Sequence, residues 1–318
     1  MYTSDRKPDR RILVVRLGAM GDIIHALPAV ANLKSSFPNS RVTWVVAPQW
    51  APLLEGNPFV DRIILFERGS VANLLHSHRE LTREAFDFAV DFQGLIKSAL
   101  IAKAARPDRI FGFDDSREEQ AGVFYSNRVT TSSAHVVDRN LELTRAAGAD
   151  ASPSVFPLPA GKPEQPLPTE DFILACPLAG WTSKQWPLAS YAELSKRLPI
   201  PLVVNGPPSS EETLRKIDGA IPNLTGLPGL IYATRRAAAV VGVDSGPLHI
   251  AAALGKPGVA IFGPTDPERN GPYGGSLQVL RSPRALTSYK RRSEIDESMR
   301  EITPGAVALA LEAQLRSV

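Results

Sequence analysis

Four short stretches of this sequence gather the residue types that can handle a negatively charged substrate. The first is Arg16-Leu-Gly-Ala-Met-Gly-Asp22-Ile-Ile-His25. Gly18 and Gly21 permit a tight turn, and Asp22 falls at the start of the helix that follows. One reading makes Asp22 a helix N-cap and nothing more. The other makes it a carboxylate at the carboxyl end of the first strand, able to take a proton from a substrate hydroxyl. The turn lacks G-x-G-x-x-G spacing, and a dinucleotide pyrophosphate there would meet the like charge of Asp22, which counts against an NAD-dependent oxidoreductase.

The second stretch, Val243-Asp244-Ser245-Gly246-Pro247-Leu248-His249, is an apolar strand ending in Asp and passing through Ser-Gly into a helix with Pro near its start. Free amides of Ser245 and Gly246 suit a diphosphate, and His249 lies one turn along, where protonation favours an anion. The same residues also suit a capped helix with His249 packed beneath it. The third, Gly180-Trp181-Thr182-Ser183-Lys184-Gln185-Trp186-Pro187, offers hydroxyls, an aromatic surface and, in Lys184, a cation for phosphate. Taken alone, an exposed lysine such as Lys184 is more often just a solvated surface charge. The fourth, Phe262-Gly-Pro-Thr265-Asp266-Pro267, is a rigid turn at a strand end.

Such groups need elements to position them. Strands are predicted at 12–17, 42–46, 62–66, 88–92 and 109–113, with helical spacing between them at Ile23, Leu27, Val30 and Leu33 and again at Leu95, Ala99 and Ala102. Residues 151–168 carry six prolines and read as an interdomain linker. The alternation then resumes with strands at 172–176, 202–205, 239–243 and 258–262 and helices near 191–198, 211–220, 230–236 and 248–254. The expected organisation is a Rossmann-like domain over 1–150, the linker, and a second over 169–318 whose last helix packs back on the first domain. In such sheets ligands sit at the carboxyl ends of the strands, so a cleft between two facing domains is expected.

Composition agrees. The 318 residues allow about two domains, and 28 Pro with 23 Gly is too little for a collagenous or disordered chain. A net charge of +3 is low for a nucleic-acid binder, yet leaves phosphorylated small molecules or an anionic membrane surface as partners. The single cysteine, Cys176, permits no internal disulfide and suits a reducing compartment. Neither a signal peptide nor a spanning segment is expected.

Together and in order, G-x-x-G-D at 18–22, K-x-W-P at 184–187, D-S-G-P-x-H at 244–249 and F-G-P-T-D-P at 262–267 resemble glycosyltransferase family 9, the lipopolysaccharide heptosyltransferases. Asp91-Phe-Gln-Gly-Leu-Ile-Lys-Ser98 and the segment from Arg117 to Arg139 look most like its type I members, so the likeness spans nearly the whole chain. The resemblance implies an α/β GT-B fold, two Rossmann-like domains with parallel sheets facing a central cleft, the first holding acceptor and the second nucleotide sugar. It implies inverting transfer of heptose from ADP-L-glycero-β-D-manno-heptose to the Kdo sugar of lipid A, without metal or other cofactor, in the cytoplasm or peripherally on the inner face of the inner membrane. Asp22 becomes the general base. Gly180, Lys184, Ser245 and Gly246 fall to the donor and its diphosphate, Asp244 to heptose hydroxyls, His249 to the phosphates, and Arg68 and Arg117 to acceptor carboxylates or phosphates.

Two departures stand out. Where relatives place an acid for the nucleotide ribose after the strand ending Asn205-Gly206, this chain has Ser210 and, one residue late, Glu211. Trp181 adds an aromatic surface without an evident partner. The sequence also leaves two other readings, a type II heptosyltransferase and a non-catalytic two-domain binding protein.

Overall fold

The computed structural model describes residues 10–67, 69–151 and 154–316. The chain divides into two compact units between Pro157 and Leu158, inside the Pro-rich stretch.

The first unit runs β1 (Arg11–Val15), α1 (Met20–Ser36), β2 (Arg41–Val46), β3 (Arg62–Leu65), α2 (Val71–Thr82), β4 (Phe88–Asp91), α3 (Ile96–Ala104), β5 (Arg109–Phe113), β6 (Asn127–Val129) and α4 (Val136–Ala146). All strand pairs are parallel, in the order β3-β2-β1-β4-β5-β6. A parallel sheet covered by helices on both faces needs strands apolar on both sides. Ile12 to Val15 and Phe88 to Val90 supply this and are all fully buried. Helix α1 is buried along most of its circumference and packs on α4, where Asn32 Nδ2 donates to Thr144 Oγ1 at 3.2 Å.

The second unit repeats the plan: β7 (Ile173–Cys176), α5 (Leu188–Ser195), β8 (Leu202–Gly206), α6 (Glu211–Leu214), β9 (Ile221–Leu224), α7 (Leu227–Arg236), β10 (Ala239–Val243), α8 (Gly246–Ala253), β11 (Gly258–Phe262), α9 (Pro267–Asn270), β12 (Leu277–Arg281), α10 (Glu297–Arg300) and α11 (Pro304–Arg316). Its order, β12-β11-β10-β7-β8-β9, is the first sheet's order counted from the other edge. Both have the doubly wound order whose direction reverses between the first and fourth strands, β1 and β4 in one unit, β7 and β10 in the other. At that reversal adjacent crossovers leave on opposite faces, opening a crevice at the strands' carboxyl ends.

Two expectations change. The helix expected near 211–220 is one turn, because the chain leaves the helix after Leu214 and reaches Gly219 at φ +75. The strands β6, β9 and β12 add edges to sheets read as smaller. The closing helix α11 commits Val307, Ala308 and Leu311 to the second unit's own core with Trp186, Tyr191 and Val259. The linker is strapped to α7: the Glu164 carboxylate accepts from the amides of Gly226 at 2.7 Å and Gly229 at 3.2 Å.

Candidate active site

In each unit motif residues follow the strands flanking the reversal, and the 262–267 turn follows β11 beside them. In the first, β1 runs into a turn whose Gly18–Ala19 peptide is cis. A side chain at Gly18 would place its Cβ 2.7 Å from the Trp50 indole nitrogen, so only glycine lets Trp50 lie against this turn. The N-cap of α1 is Ala19, not Asp22, which sits three residues into the helix and accepts from the Ala19 amide at 3.1 Å through Oδ2. An Ala side chain cannot cap, and the Asp22 carboxylate satisfies the exposed amide from within the first turn. The same Oδ2 lies 2.6 Å from the guanidinium of Arg16, which is nearly buried and also donates to the Phe92 carbonyl. Oδ1 has no protein hydrogen bond among the described residues, and the side chain is about a third exposed.

Beside this turn is a pocket of about 600 Å³ lined by Leu17, Gly18, Trp50, Phe66, Gln93 and Lys97, among others. Its lining residue Gln93 is held from behind by Asp91 at the end of β4. That carboxylate is fully buried and accepts from Ser98 Oγ at 2.7 Å, Tyr125 Oη at 2.8 Å and the Gln93 amide at 2.8 Å. Burial pushes the Asp91 carboxyl above its ordinary value in spite of these donors, and burial together with the Asp91 charge pushes the Tyr125 hydroxyl well up. The network locks Gln93, whose side-chain oxygen accepts from the Leu17 amide at 2.8 Å and so ties the β4 loop to the β1 loop.

In the second unit Asp244 directly follows β10 and is 7% exposed. Lys184 Nζ reaches its Oδ2 at 2.9 Å across 60 residues of chain, and His249 Nε2 lies 3.8 Å from its Oδ1. Burial opposes the negative charge on Asp244. The His249 contact and the Lys184 ammonium outweigh it and hold the carboxyl well below the usual carboxylate range. Lys184 is delivered by a single 3₁₀ turn, and Trp186 two residues on anchors that turn. The Trp186 indole is buried, stacks edge-on against Tyr191 at 4.8 Å and donates to the Ile302 carbonyl at 2.9 Å.

Ser245 is the N-cap of α8, and Gly246 and Pro247 open the helix. The Leu248 amide returns to the Ser245 carbonyl at 3.1 Å. The Ser245 hydroxyl makes no capping bond, and the hydroxyls of Ser183, Ser245 and Thr265 are all buried without a protein partner. Unpaired buried hydroxyls are costly, so the three loops hold donors that a bound polar group can satisfy.

The structure thus brings Lys184, Asp244 and His249 together with the start of α8. Gly180 is exposed in the Lys184 loop with open space where a Cβ would stand. Glu211 does not join this cluster through any bond: it is exposed and paired with Arg215 at 2.7 Å along the surface of α6. Ser210 turns its hydroxyl to the Pro207 carbonyl at 2.6 Å. Arg117 is exposed and makes no ion pair among the described residues, while Arg68 lies outside the described residues. Cys176 ends β7 fully buried, and burial pushes its thiol up to about 12, which leaves it inert as a nucleophile. His76 and His78 lie on α2, and among the described residues no three His, Cys, Asp or Glu side chains cluster as metal ligands do.

The family description Glycosyltransferase family 9 (heptosyltransferase) matches residues 74–299. The chain belongs to that family. A lipopolysaccharide heptosyltransferase 1 of Pseudomonas aeruginosa is 30% identical over 306 residues, covering 86% of this chain and 84% of that protein. A lipopolysaccharide heptosyltransferase 2 of Salmonella typhimurium is 29% identical over 351 residues, covering 96% of this chain and 98% of that protein. The solved E. coli heptosyltransferase WaaC with ADP-2-deoxy-2-fluoro heptose matches with a TM-score of 0.75 at 25% identity, covering 94% of this chain and 98% of that one.

This family 9 glycosyltransferase therefore has the GT-B fold, and both units place their motif residues at the reversal of strand order. Sequence reasoning missed the residues that hold the motifs in place. Arg16, Trp50, Gln93 and Tyr125 stand behind the Asp22 turn, and Tyr191 stands behind Trp186. Arg16 alone carried a signal, as a charge interrupting an apolar strand that must be buried if the strand is.

Proposed function

We propose that the chain catalyses inverting, metal-independent transfer of heptose from ADP-L-glycero-β-D-manno-heptose to the Kdo sugar of lipid A, at the cytoplasmic face of the inner membrane. The observation that carries this reading is the Lys184–Asp244 pair beside the start of α8. An ammonium, a helix N-terminus and unpaired hydroxyls meet at the carboxyl ends of β7 and β10, an arrangement suited to a sugar diphosphate. The relative solved with an ADP-heptose analogue supports the donor assignment.

In this reaction the acceptor hydroxyl oxygen bonds to the anomeric carbon while the bond from that carbon to the diphosphate oxygen breaks on the opposite face. Asp22 takes the hydroxyl proton through Oδ1, and Arg16 and the Ala19 amide hold its other oxygen. The electron pair leaves with ADP. Lys184 turns from Asp244 toward the more highly charged diphosphate, supported by the amides of Ser245 and Gly246 and by His249, and Asp244 keeps its second oxygen for heptose hydroxyls. Glu211 or Ser210 meets the ribose, Gly180 lets the Lys184 loop approach the donor, and Arg117 and Arg68 pair with acceptor carboxylates or phosphates. Among the described residues no helix is long and apolar enough to cross a membrane.

Because protein groups neutralise the departing charge, transfer is expected to survive excess EDTA at nearly full rate. An absolute divalent requirement, with activity lost in EDTA and restored at stoichiometric ion, would overturn the metal-free assignment. The type II reading, transfer to an already heptosylated core, has the Salmonella relative in its favour. Acceptor choice separates the two.

A further inference from the structure

The loop after β12 runs across the carboxyl end of the second sheet. Arg281 Nε donates to the Gly263 carbonyl at 3.1 Å, and its Nη2 donates to Thr287 Oγ1 at 2.9 Å. The Ser288 amide then donates to the Pro264 carbonyl at 2.7 Å, and Tyr289 lies under the Arg269 guanidinium at 5.2 Å. Further on, the Asp296 amide donates to the Ser183 carbonyl at 3.3 Å. Backbone bonds thus tie the loop at one end to the 262–267 turn and at the other to the Lys184 turn. Arg291 lies between these two ties.

Its position is set by Trp181, the aromatic residue whose partner the sequence did not disclose. The Arg291 guanidinium lies 5.4 Å from the centre of the Trp181 ring, and Lys184 Nζ lies 4.8 Å from the same ring. One indole therefore serves two cations. They differ in what neutralises them: Lys184 is paired with Asp244, whereas Arg291 is exposed and has no carboxylate partner among the described residues. A planar guanidinium stacked on an aromatic face keeps its N–H fork free for an anion, and two cations on one platform repel until an anion joins them. The anion that belongs at Lys184 is the donor diphosphate.

We propose that Arg291 is a second diphosphate-binding cation of this site, carried to the rim by the β12 loop and oriented by Trp181, which acts as a positioning residue for both Arg291 and Lys184. The proposal rests on the sugar-diphosphate reading above and deepens it. It also accounts for Trp181. Once Lys184 turns from Asp244 it is a compact charge on a long stem, and sharing the indole restricts both cations to a shell around one ring, which lowers the entropic cost of gathering them on one diphosphate.

The test is calorimetric titration of the purified full chain with ADP, inorganic pyrophosphate and adenosine. Arg291→Gln is expected to weaken ADP and pyrophosphate about ten-fold and leave adenosine unchanged. Arg291→Lys, which keeps the charge and loses the fork, is expected to fall between. Trp181→Leu is expected to weaken ADP in the same sense, and adding Arg291→Gln to it should cost clearly less than ten-fold, because the two residues act together. The salt dependence of ADP affinity should be shallower in Arg291→Gln than in wild type. Equal ADP affinity of Arg291→Gln and wild type overturns the proposal, as does an equal loss for ADP and adenosine. If Lys184→Met loses ADP affinity in those same titrations, the donor reading stands without Arg291. A wild-type chain that binds neither ADP nor pyrophosphate overturns both.

Discussion

Asp22→Asn is expected to slow heptose transfer by roughly 10²- to 10⁴-fold while ADP binds as tightly as to wild type. The amide side chain keeps an oxygen for the Ala19 amide, so the first turn of α1 retains its internal bond. What it removes is the carboxylate assigned the proton of the acceptor hydroxyl in the proposed reaction. It also leaves Arg16 facing a neutral partner, although the Phe92 carbonyl still accepts from that guanidinium. Thermal unfolding of the variant therefore separates a chemical effect from a structural one. Stability within a few degrees of wild type, unchanged ADP titration and collapsed turnover identify Asp22 as the base. Wild-type turnover in the Asn variant would remove it from the mechanism.

Lys184→Met is expected to lower kcat/KM by about 10²- to 10³-fold, the scale set by losing one preorganised charge opposite a developing anion. Met keeps the aliphatic stem, so the change falls on charge more than on packing. ADP affinity should drop and adenosine affinity should not. The variant should also be less stable by about 3 to 5 kcal/mol, because Asp244 keeps its buried carboxylate and loses the ammonium at 2.9 Å. The sign follows from the lowered Asp244 value. In wild type, ionised Asp244 adds stability above the ordinary carboxylate value of 3.8, and that increment disappears as pH falls below it. In Lys184→Met the increment above 3.8 is expected to shrink. Adding Asp244→Asn to Lys184→Met should restore much of the stability and none of the ADP affinity. Recovery of both would make the pair structural.

The central strands were legible because each holds a short uncharged run rich in Val and Ile, buried on both faces, such as Ile12 to Val15 and Ala239 to Val243. Of the four edge strands, only β3 was legible, at 62–66. Residues 127–129 are three in number and none is fully buried, 221–224 contain Pro222, and 277–281 are exposed at Gln278 and Val279, so none shows the apolar run that marks a buried strand. Motifs close in sequence were read for their chemistry, as with Asp244 and His249, since strand ends and helix starts project side chains to one place. Partners far apart in the chain left no local trace. The Lys184–Asp244 pair, the Asp91–Tyr125 bond and the Arg291–Trp181 stack each join residues that only the sheet order brings together. The reading of Asp22 as N-cap missed for a local reason: the cap sits three residues earlier, at an Ala whose side chain gives no capping signal.

Glu211 is a simpler case of competition. It lies near the position where the resemblance asks for a ribose acid, yet the i, i+4 partner Arg215 holds its carboxylate on the surface of α6. Donor binding has to draw it away from that pair, or leave the ribose to Ser210.

Product analysis by mass spectrometry, with NMR for the anomeric configuration, after incubating the purified chain with ADP-L-glycero-β-D-manno-heptose and separate acceptors tests the central claim most directly. The account predicts that Kdo-bearing lipid A gains one heptose, inverted at its anomeric carbon, with release of one ADP. An acceptor already carrying heptose should be left unchanged, as should both acceptors when a UDP-sugar is the donor. Heptose added only to the heptosylated acceptor, or transfer only from a UDP-sugar, would contradict it.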